Sequence, residues 1–537
     1  MVSISGLRSG APTRLALARR WAISDVGVAV VLLALVFLIR IVAAATTPLT
    51  EDEAYYRLWS QHLAFGYFDH PPMIAWWIRL GAALAGDNPL GVRALPILGS
   101  LLTSLLIFDL TQQLGGSRST AVLATLWYNA TLTVGLGAML AVPDAPASLC
   151  WALTLWCLAR TRSDERWWLA AGAAAGFGIL SKYSALFLGP GILLWLLTDA
   201  RSRTALHRPW LWLGGAAAGL VALPNLLWNA QHHWSTIDKQ FGRLAPDGFA
   251  PQHLPQFLLL QTLLFGPVLI LFIGRALVSR AAPVRGAVVL IAATSAPFLG
   301  YLLLHSLHSQ VEEHWPVPLF AGGAILAALG SEVRPSGSWM TKLRRRRLTA
   351  PTLILAHLAA PARRSPPRPP RAWVRKLPLL GLAAPVLMIA YLGLPALALK
   401  RDPALPVRGW PDFSRRLEAA QAKAGAGWIG TVSYGQAAKL TEFGRYPAPV
   451  VQIDQRIRYL GWPVPKGFDA RSPGLIVDLS RRMDRTLLLR CFDEVVPLGE
   501  IERGAPGGAQ AHYSLYRVRN PKLDLLATGC PSRQDED

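Results

Sequence analysis

Apolar runs recur along most of this chain, at 26–45, 91–110, 120–141, 145–159, 167–180, 183–198, 210–228, 255–278, 286–304, 315–330 and 377–399. A helix needs about 20 such residues to cross a bilayer's hydrocarbon core, so the pattern predicts about eleven transmembrane helices and leaves no water-soluble fold for this region. With 52% hydrophobic and only 16% charged residues among 537, composition agrees. The first run holds a single charge, Arg40. A cleaved signal peptide is the alternative reading for it, but no small-residue cleavage site precedes the acids that follow, so it reads as a retained helix.

The formal net charge of +22 would raise nucleic acid as a partner in a soluble protein. Here it has a simpler place. Arg8, Arg14, Arg19 and Arg20 precede the first run, and residues 333–376 carry 12 Lys or Arg and no acid. That segment also lacks the interleaved aromatics of a nucleic-acid surface, having only Trp339 and Trp373, so no nucleic-acid partner is expected. With a cytoplasmic N-terminus, inside loops would hold Arg118, then Arg162 and Arg166, then Arg201, Arg203 and Arg208, then Arg280 and Arg285. Outside loops would be poor in arginine, which is the positive-inside asymmetry. Asp52, Glu53, His70, Asp144, Lys182, Lys239, Arg243, Glu312, Glu313 and His314 then all fall on the non-cytoplasmic face.

Four units follow: a membrane region over 1–333, a basic Pro-rich cytoplasmic loop over 334–376, a last transmembrane helix over 377–399 and a soluble periplasmic α/β domain over 400–537. Within the loop, 348–360 is too short to cross and suits the membrane surface. In the last unit, helical patterning at 413–424 precedes strands at 428–433, 474–479 and 514–519. Gly425, Gly427 and Gly430 spell G-x-G-x-x-G, but between a helix and a strand, the reverse of a dinucleotide loop; they read as a helix stop. Cys150 and Cys157 read as core packing, whereas Cys491 and Cys530 could pair if their region is periplasmic. No internal repeat is evident, which disfavours transporters built from duplicated halves.

The chemistry-bearing segments are Asp52-Glu53-Ala54-Tyr55-Tyr56, Phe68-Asp69-His70-Pro71-Pro72, Val142-Pro143-Asp144-Ala145-Pro146, Leu180-Ser181-Lys182-Tyr183 and Glu313-His314-Trp315-Pro316. Their ordered series, over roughly residues 25–330, resembles bacterial members of the dolichyl-phosphate-mannose protein mannosyltransferase superfamily (glycosyltransferase family 39), which includes the aminoarabinose transferases. The resemblance implies an all-α membrane GT-C fold with periplasmic juxtamembrane helices beside the small C-terminal α/β domain. It further implies a polyprenyl-phosphate-linked sugar donor, a lipid-linked or protein acceptor, and contact with membrane lipids at the bacterial inner membrane. By the same resemblance, acids of the first and second outer loops map to Asp52 and Asp144 as catalytic groups. Phe68-Asp69-His70-Pro71-Pro72 departs from the Glu-Lys-Pro-Pro pattern of the aminoarabinose transferases.

The residue types fit such a transfer. A polyprenyl phosphate leaves readily if cations stabilise its oxygens, and Lys182, Arg243 and His70 are candidates. The acceptor hydroxyl needs a positioned carboxylate to take its proton, for which Asp52 is the choice; in-line displacement would invert the anomeric centre. Glu53, Tyr56, Glu313 and His314 join the substrate-binding candidates. Each has a plainer reading. Asp52 and Glu53 also suit a helix start, Asp144 a helix cap, Lys182 a snorkelling side chain, and His70 a loop before two prolines. His305, His308 and His314 with Glu312 and Glu313 are a loose possible divalent-metal set; no cofactor is otherwise implied. The alternatives are a polytopic transporter or lipid-linked-sugar flippase, or a C-terminal domain that does the chemistry on a membrane anchor. A transporter would place ionisable residues in mid-span, whereas these lie at span ends.

Overall fold

The computed structural model describes residues 14–242, 248–279, 282–333, 372–393, 399–443, 448–459, 462–504, 508 and 510–530. Arg243 and the basic stretch 334–371 lie outside these.

The membrane region is a helical bundle. Its first helix, α1 (Arg14–Thr46), is followed by α2 (Glu51–Gln61), which begins with a capping box: the Thr50 hydroxyl accepts from the Glu53 amide while the Glu53 carboxylate accepts from the Thr50 amide. Pro71 and Pro72 interrupt the chain before α3 (Met73–Ala85), and Asn88 caps α4 (Pro89–Gln113). Then come α5 (Arg118–Ala130), α6 (Leu132–Gly137), α7 (Asp144–Arg160), α8 (Trp167–Ser181), α9 (Leu188–Thr198), α10 (Pro209–Gln231) and α11 (Ser235–Gly242). The helices α12 (His253–Phe265) and α13 (Pro267–Leu277) meet at 98°, hinged on Gly266 at φ 109° ahead of Pro267. Next are α14 (Ala282–His305), α15 (Phe320–Ser331) and α16 (Ala372–Gly393).

Where described, the eleven apolar runs are mostly helical, but they are not all spans. Among the described residues, Val26–Thr46, Pro89–Gln113, Pro209–Gln231, Val284–His305 and Trp373–Leu392 are long and apolar enough to cross, with the bent α12–α13 pair a sixth if counted as one. The count of about eleven is therefore not reproduced by length and composition. The physical reason is rise per residue: Trp167–Ser181 reaches only about 22 Å, short of the ~30 Å core.

Small residues let these helices touch. A Cβ added at Gly172 would sit 1.8 Å from the Gly214 carbonyl oxygen, so the backbones of α8 and α10 are in direct contact. The single charge of the first run, Arg40, is fully buried and bonds Asn129 at 2.9 Å and the Val134 carbonyl at 3.0 Å, tying α1 to α5 and α6. One end of the bundle is laced by Arg160 to Asp109 (2.8 Å), Arg162 to Asp199 (2.7 Å) and Arg208 to Glu165 (2.9 Å). The candidate residues sit at the other.

After α16 the chain forms α17 (Trp410–Ala424), β1 (Trp428–Thr431), α18 (Tyr434–Phe443), β2 (Val450–Gln452), β3 (Gly474–Leu479), α19 (Arg485–Cys491), β4 (Phe492–Gly504) and β5 (Gln510–Pro521). The five strands are ordered β2-β1-β3-β5-β4, with β1 parallel to β2 and β3, and β5 antiparallel to β3 and β4. Gly425 closes α17 at φ 60°, in the left-handed conformation that suits a helix stop. Cys491 and Cys530 are joined by a disulfide, while Cys150 and Cys157 are buried and free.

This α/β unit docks on the bundle. Ala438 of α18 shares a buried cluster with Leu49, Tyr55, Trp59, Ile74 and Ile78, and Tyr434, Tyr459 and Trp462 pack against it. Lys439, buried in the same contact, donates to the Leu49 carbonyl at 2.6 Å. Burial lowers its ammonium pKa to about 8, against the opposing pull of Glu442.

Candidate active site

Three aspartates from separate segments, Asp52 of α2, Asp69 of the loop before α3 and Asp144 of α7, lie on one side of the bundle beside α11 and α18. Each has a different environment.

Asp52 stands in the first turn of α2. Its side chain is exposed to solvent. The Tyr434 hydroxyl donates to its Oδ1 at 3.1 Å. Desolvation raises the Asp52 pKa above the ordinary aspartate value; the Tyr434 bond and His314 pull the other way, and Glu51 adds to the rise.

Asp69 precedes the two prolines. It accepts from the Tyr55 hydroxyl at 2.9 Å and is ion-paired with both Lys239 of α11 and Arg458 of the C-terminal unit. Burial alone would raise its pKa; Arg458 and Lys239 override that and hold it down at about 2. The Asp69 loop is pinned to α11 by Thr236 on the Tyr67 carbonyl and Gln240 on the Asp69 carbonyl, both at 2.6 Å.

Asp144 starts α7. Lys182, at the end of α8, reaches its two oxygens at 2.8 and 2.9 Å, and His314 lies 3.7 Å away. His314 is also within electrostatic range of Asp52, and His70 within range of both Asp69 and Asp144. The Tyr56 ring lies 6.2 Å from that of His70. Thus Asp52, Tyr56, His70, Asp144, Lys182 and His314, scattered in sequence, form one connected set.

Other candidates lie differently. Glu53 is fully buried: both oxygens bond Arg93 at 2.7 Å, and they also accept from the Thr50 amide and hydroxyl and the Ala141 amide. Burial would raise its pKa, but Arg93 overrides and keeps it below the usual range. It faces the protein interior, because an acid one position after Asp52 on a helix is turned about 100° from it. Glu313 is exposed beside His314, and its carbonyl accepts from Gln261 at 3.0 Å. Arg243 lies outside the described residues. Among the described residues no group of three or more His, Cys, Asp or Glu is placed to hold a metal ion, so His305, His308, His314, Glu312 and Glu313 do not form the loose metal set considered above.

Asp69 and Tyr55 stand within the chemistry-bearing motifs but were not among the site candidates, and Arg93, Tyr434 and Arg458 were missed. Arg93 carried one signal, a charge in an apolar run. Tyr434 and Arg458 carried none, because only folding brings them near α2.

Residues 69–228 match the family model for dolichyl-phosphate-mannose-protein mannosyltransferases. Over 194 residues the chain is 33% identical to the lipid A galacturonosyltransferase RgtD of Rhizobium johnstonii, covering 35% of this chain and 39% of that protein. The crystal structure of ArnT from Cupriavidus metallidurans bound to undecaprenyl phosphate matches with a TM-score of 0.56 at 15% identity, over 93% of this chain and 98% of that one. Over residues 69–228 the chain is thus similar to this family. The undecaprenyl phosphate-alpha-4-amino-4-deoxy-L-arabinose arabinosyl transferase 1 of Pseudomonas fluorescens is 32% identical over 138 residues, 24% of each chain. The matched stretches are thus under two-fifths of each relative's length. The likeness to ArnT extends over nearly the whole chain and is one of fold: a multi-pass helical membrane region of the GT-C type with a small C-terminal sheet.

Proposed function

We propose that this chain is an inverting glycosyltransferase of the bacterial inner membrane. It moves a sugar from a polyprenyl phosphate, undecaprenyl in most bacteria, to an envelope acceptor on the periplasmic side. A lipopolysaccharide component or other glycolipid is the leading acceptor, and a protein hydroxyl the second. The names of the relatives support this reading: one is a lipid A galacturonosyltransferase, another an aminoarabinose transferase that uses an undecaprenyl-phosphate donor.

One observation carries the assignment of roles. Of the three aspartates, Asp69 and Asp144 are ion-paired, whereas Asp52 has a tyrosine hydroxyl and, among the described residues, no cation within ion-pair distance. A carboxylate neutralised by a cation is a weak base; one that is partly desolvated and meets solvent is a better one. Asp52 therefore takes the proton of the acceptor hydroxyl as that oxygen attacks the anomeric carbon. The bond from the anomeric carbon to the phosphate oxygen breaks, and the polyprenyl phosphate departs with the electron pair. Lys182, steered by Asp144, with His70 and His314 nearby, provides positive charge for the leaving oxygens.

The deciding experiment is transfer by purified protein in liposomes containing lipid-linked sugar. Asp52→Asn should reduce kcat by about 10²–10⁴-fold with donor binding intact. Wild-type turnover in that variant would end the assignment of Asp52 as base.

A further inference from the structure

The polar partners of Asp52 and Asp69 that come from farthest along the chain belong to the C-terminal α/β unit. Tyr434, the first residue of α18, bonds Asp52, and Arg458, in the turn after β2, pairs with Asp69. We propose that the C-terminal unit completes the transfer site, with Tyr434 as the positioning residue that aims the Asp52 carboxylate and Arg458 as the tie that holds the unit against the Asp69 loop. The inference rests on the reading of Asp52 as base.

The placement of Tyr434 is built from below. Asp478, at the end of β3 and fully buried, accepts from the amides of Val432 and Ser433 at 3.1 and 2.8 Å, fixing the turn from which α18 departs. The Tyr434 ring packs 4.6 Å from that of Tyr55, and the Arg458 guanidinium lies 4.4 Å over the Tyr434 ring. Behind it, Gly435 lies so close to α2 that an added Cβ would come 2.7 Å from Glu51 Oε2 and 3.0 Å from Glu51 Cβ. A phenol packed against Tyr55 and covered by a guanidinium has little freedom, so its hydroxyl stays on Asp52. That bond stabilises the ionised carboxylate and fixes its rotamer before the acceptor arrives.

Two measurements on full-length protein in liposomes test this. Tyr434→Phe keeps the ring and loses the hydroxyl. It should lower kcat about tenfold with donor KM within twofold, and should move the acidic limb of the kcat profile to higher pH, since a bond favouring ionised Asp52 is gone. A packing role alone would not move that limb. Separately, the pair Glu51→Cys and Gly435→Cys should form a disulfide, and the cross-linked protein should keep its turnover because the docked unit is the working one. An unchanged kcat and pH profile in Tyr434→Phe, or loss of turnover on cross-linking that reduction restores, overturns the proposal. Asp52→Asn is measured alongside. If it is inactive while Tyr434→Phe equals wild type, this inference fails and the assigned base stands; if Asp52→Asn is fully active, both fall.

Discussion

The Arg93 guanidinium grips both carboxylate oxygens of Glu53 at 2.7 Å, with side-chain exposures of 1% and 0%, while Nη1 bonds the carbonyls of Ala44 and Thr47 and Nη2 also bonds that of Pro48. One pair thus fixes the exit of α1, the start of α2 and the body of α4. Asp52 is the neighbour of the residue so held, and its direction depends on this anchor.

Removing either partner strands a buried charge. Glu53→Ala and Arg93→Ala should each cost about 3–5 kcal/mol, seen as a lowered melting temperature in detergent. The double variant should cost less than the sum of the two. Full additivity would show that the pair is not coupled.

Asp52 predicts a pH dependence of activity. Its pKa is raised above the ordinary aspartate value, chiefly by desolvation, and the base must be ionised to accept a proton. The acidic limb of kcat/KM should therefore lie at higher pH than a solvated aspartate would give, with activity rising through it. A limb at or below the ordinary aspartate range contradicts the assignment.

Asp478 predicts a pH dependence of stability. Burial raises its pKa from 3.8 to about 6, with Arg482 and the Leu479 and Ser433 amides opposing. The folded form binds this proton more tightly than the unfolded chain, so the contribution of Asp478 to stability falls as pH rises from about 4 to about 6 and is flat above. Asp478→Asn should lose that slope in melting temperatures measured across the range; an unaltered slope counts against it.

Lys182 and Asp144 meet through two bonds in a buried setting. Lys182→Met should raise donor KM and lower kcat/KM by about 10²-fold or more as positive charge beside the leaving phosphate disappears, with lipid-linked sugar titration as the measurement. A variant that keeps wild-type donor affinity and turnover would leave Lys182 with a purely structural role.

The Cys491–Cys530 disulfide closes a 39-residue separation and joins the end of α19 to the segment after β5. Disulfides persist in oxidising compartments, so thiol labelling of unfolded, unreduced protein from membranes should modify Cys150 and Cys157 and spare the other two. Reduction should cost the C-terminal unit about 2–4 kcal/mol. Four labelled thiols before reduction would place the unit in the cytosol.

The helical segments were legible because apolar runs declare themselves over many residues, and Gly425 declared its helix stop. Span number was not, since run length alone does not separate Trp167–Ser181 from a crossing helix. In the site, motif residues such as Asp144 and Lys182 were visible as charges at span ends. That Glu53 turns inward was hidden, because a capping box and a buried arginine decide it, and its partner Arg93 lies 40 residues away. Tyr434 and Arg458 were hidden more deeply, among unremarkable polar residues of a separate unit.

The contacts from Tyr434 to Asp52 and from Arg458 to Asp69 span 382 and 389 residues of chain. During synthesis the early helices enter the bilayer long before the ribosome reaches either partner. The two aspartates therefore wait without these neighbours until synthesis has passed residue 458, and a product terminated before then would leave Asp52 without its tyrosine and Asp69 without its arginine.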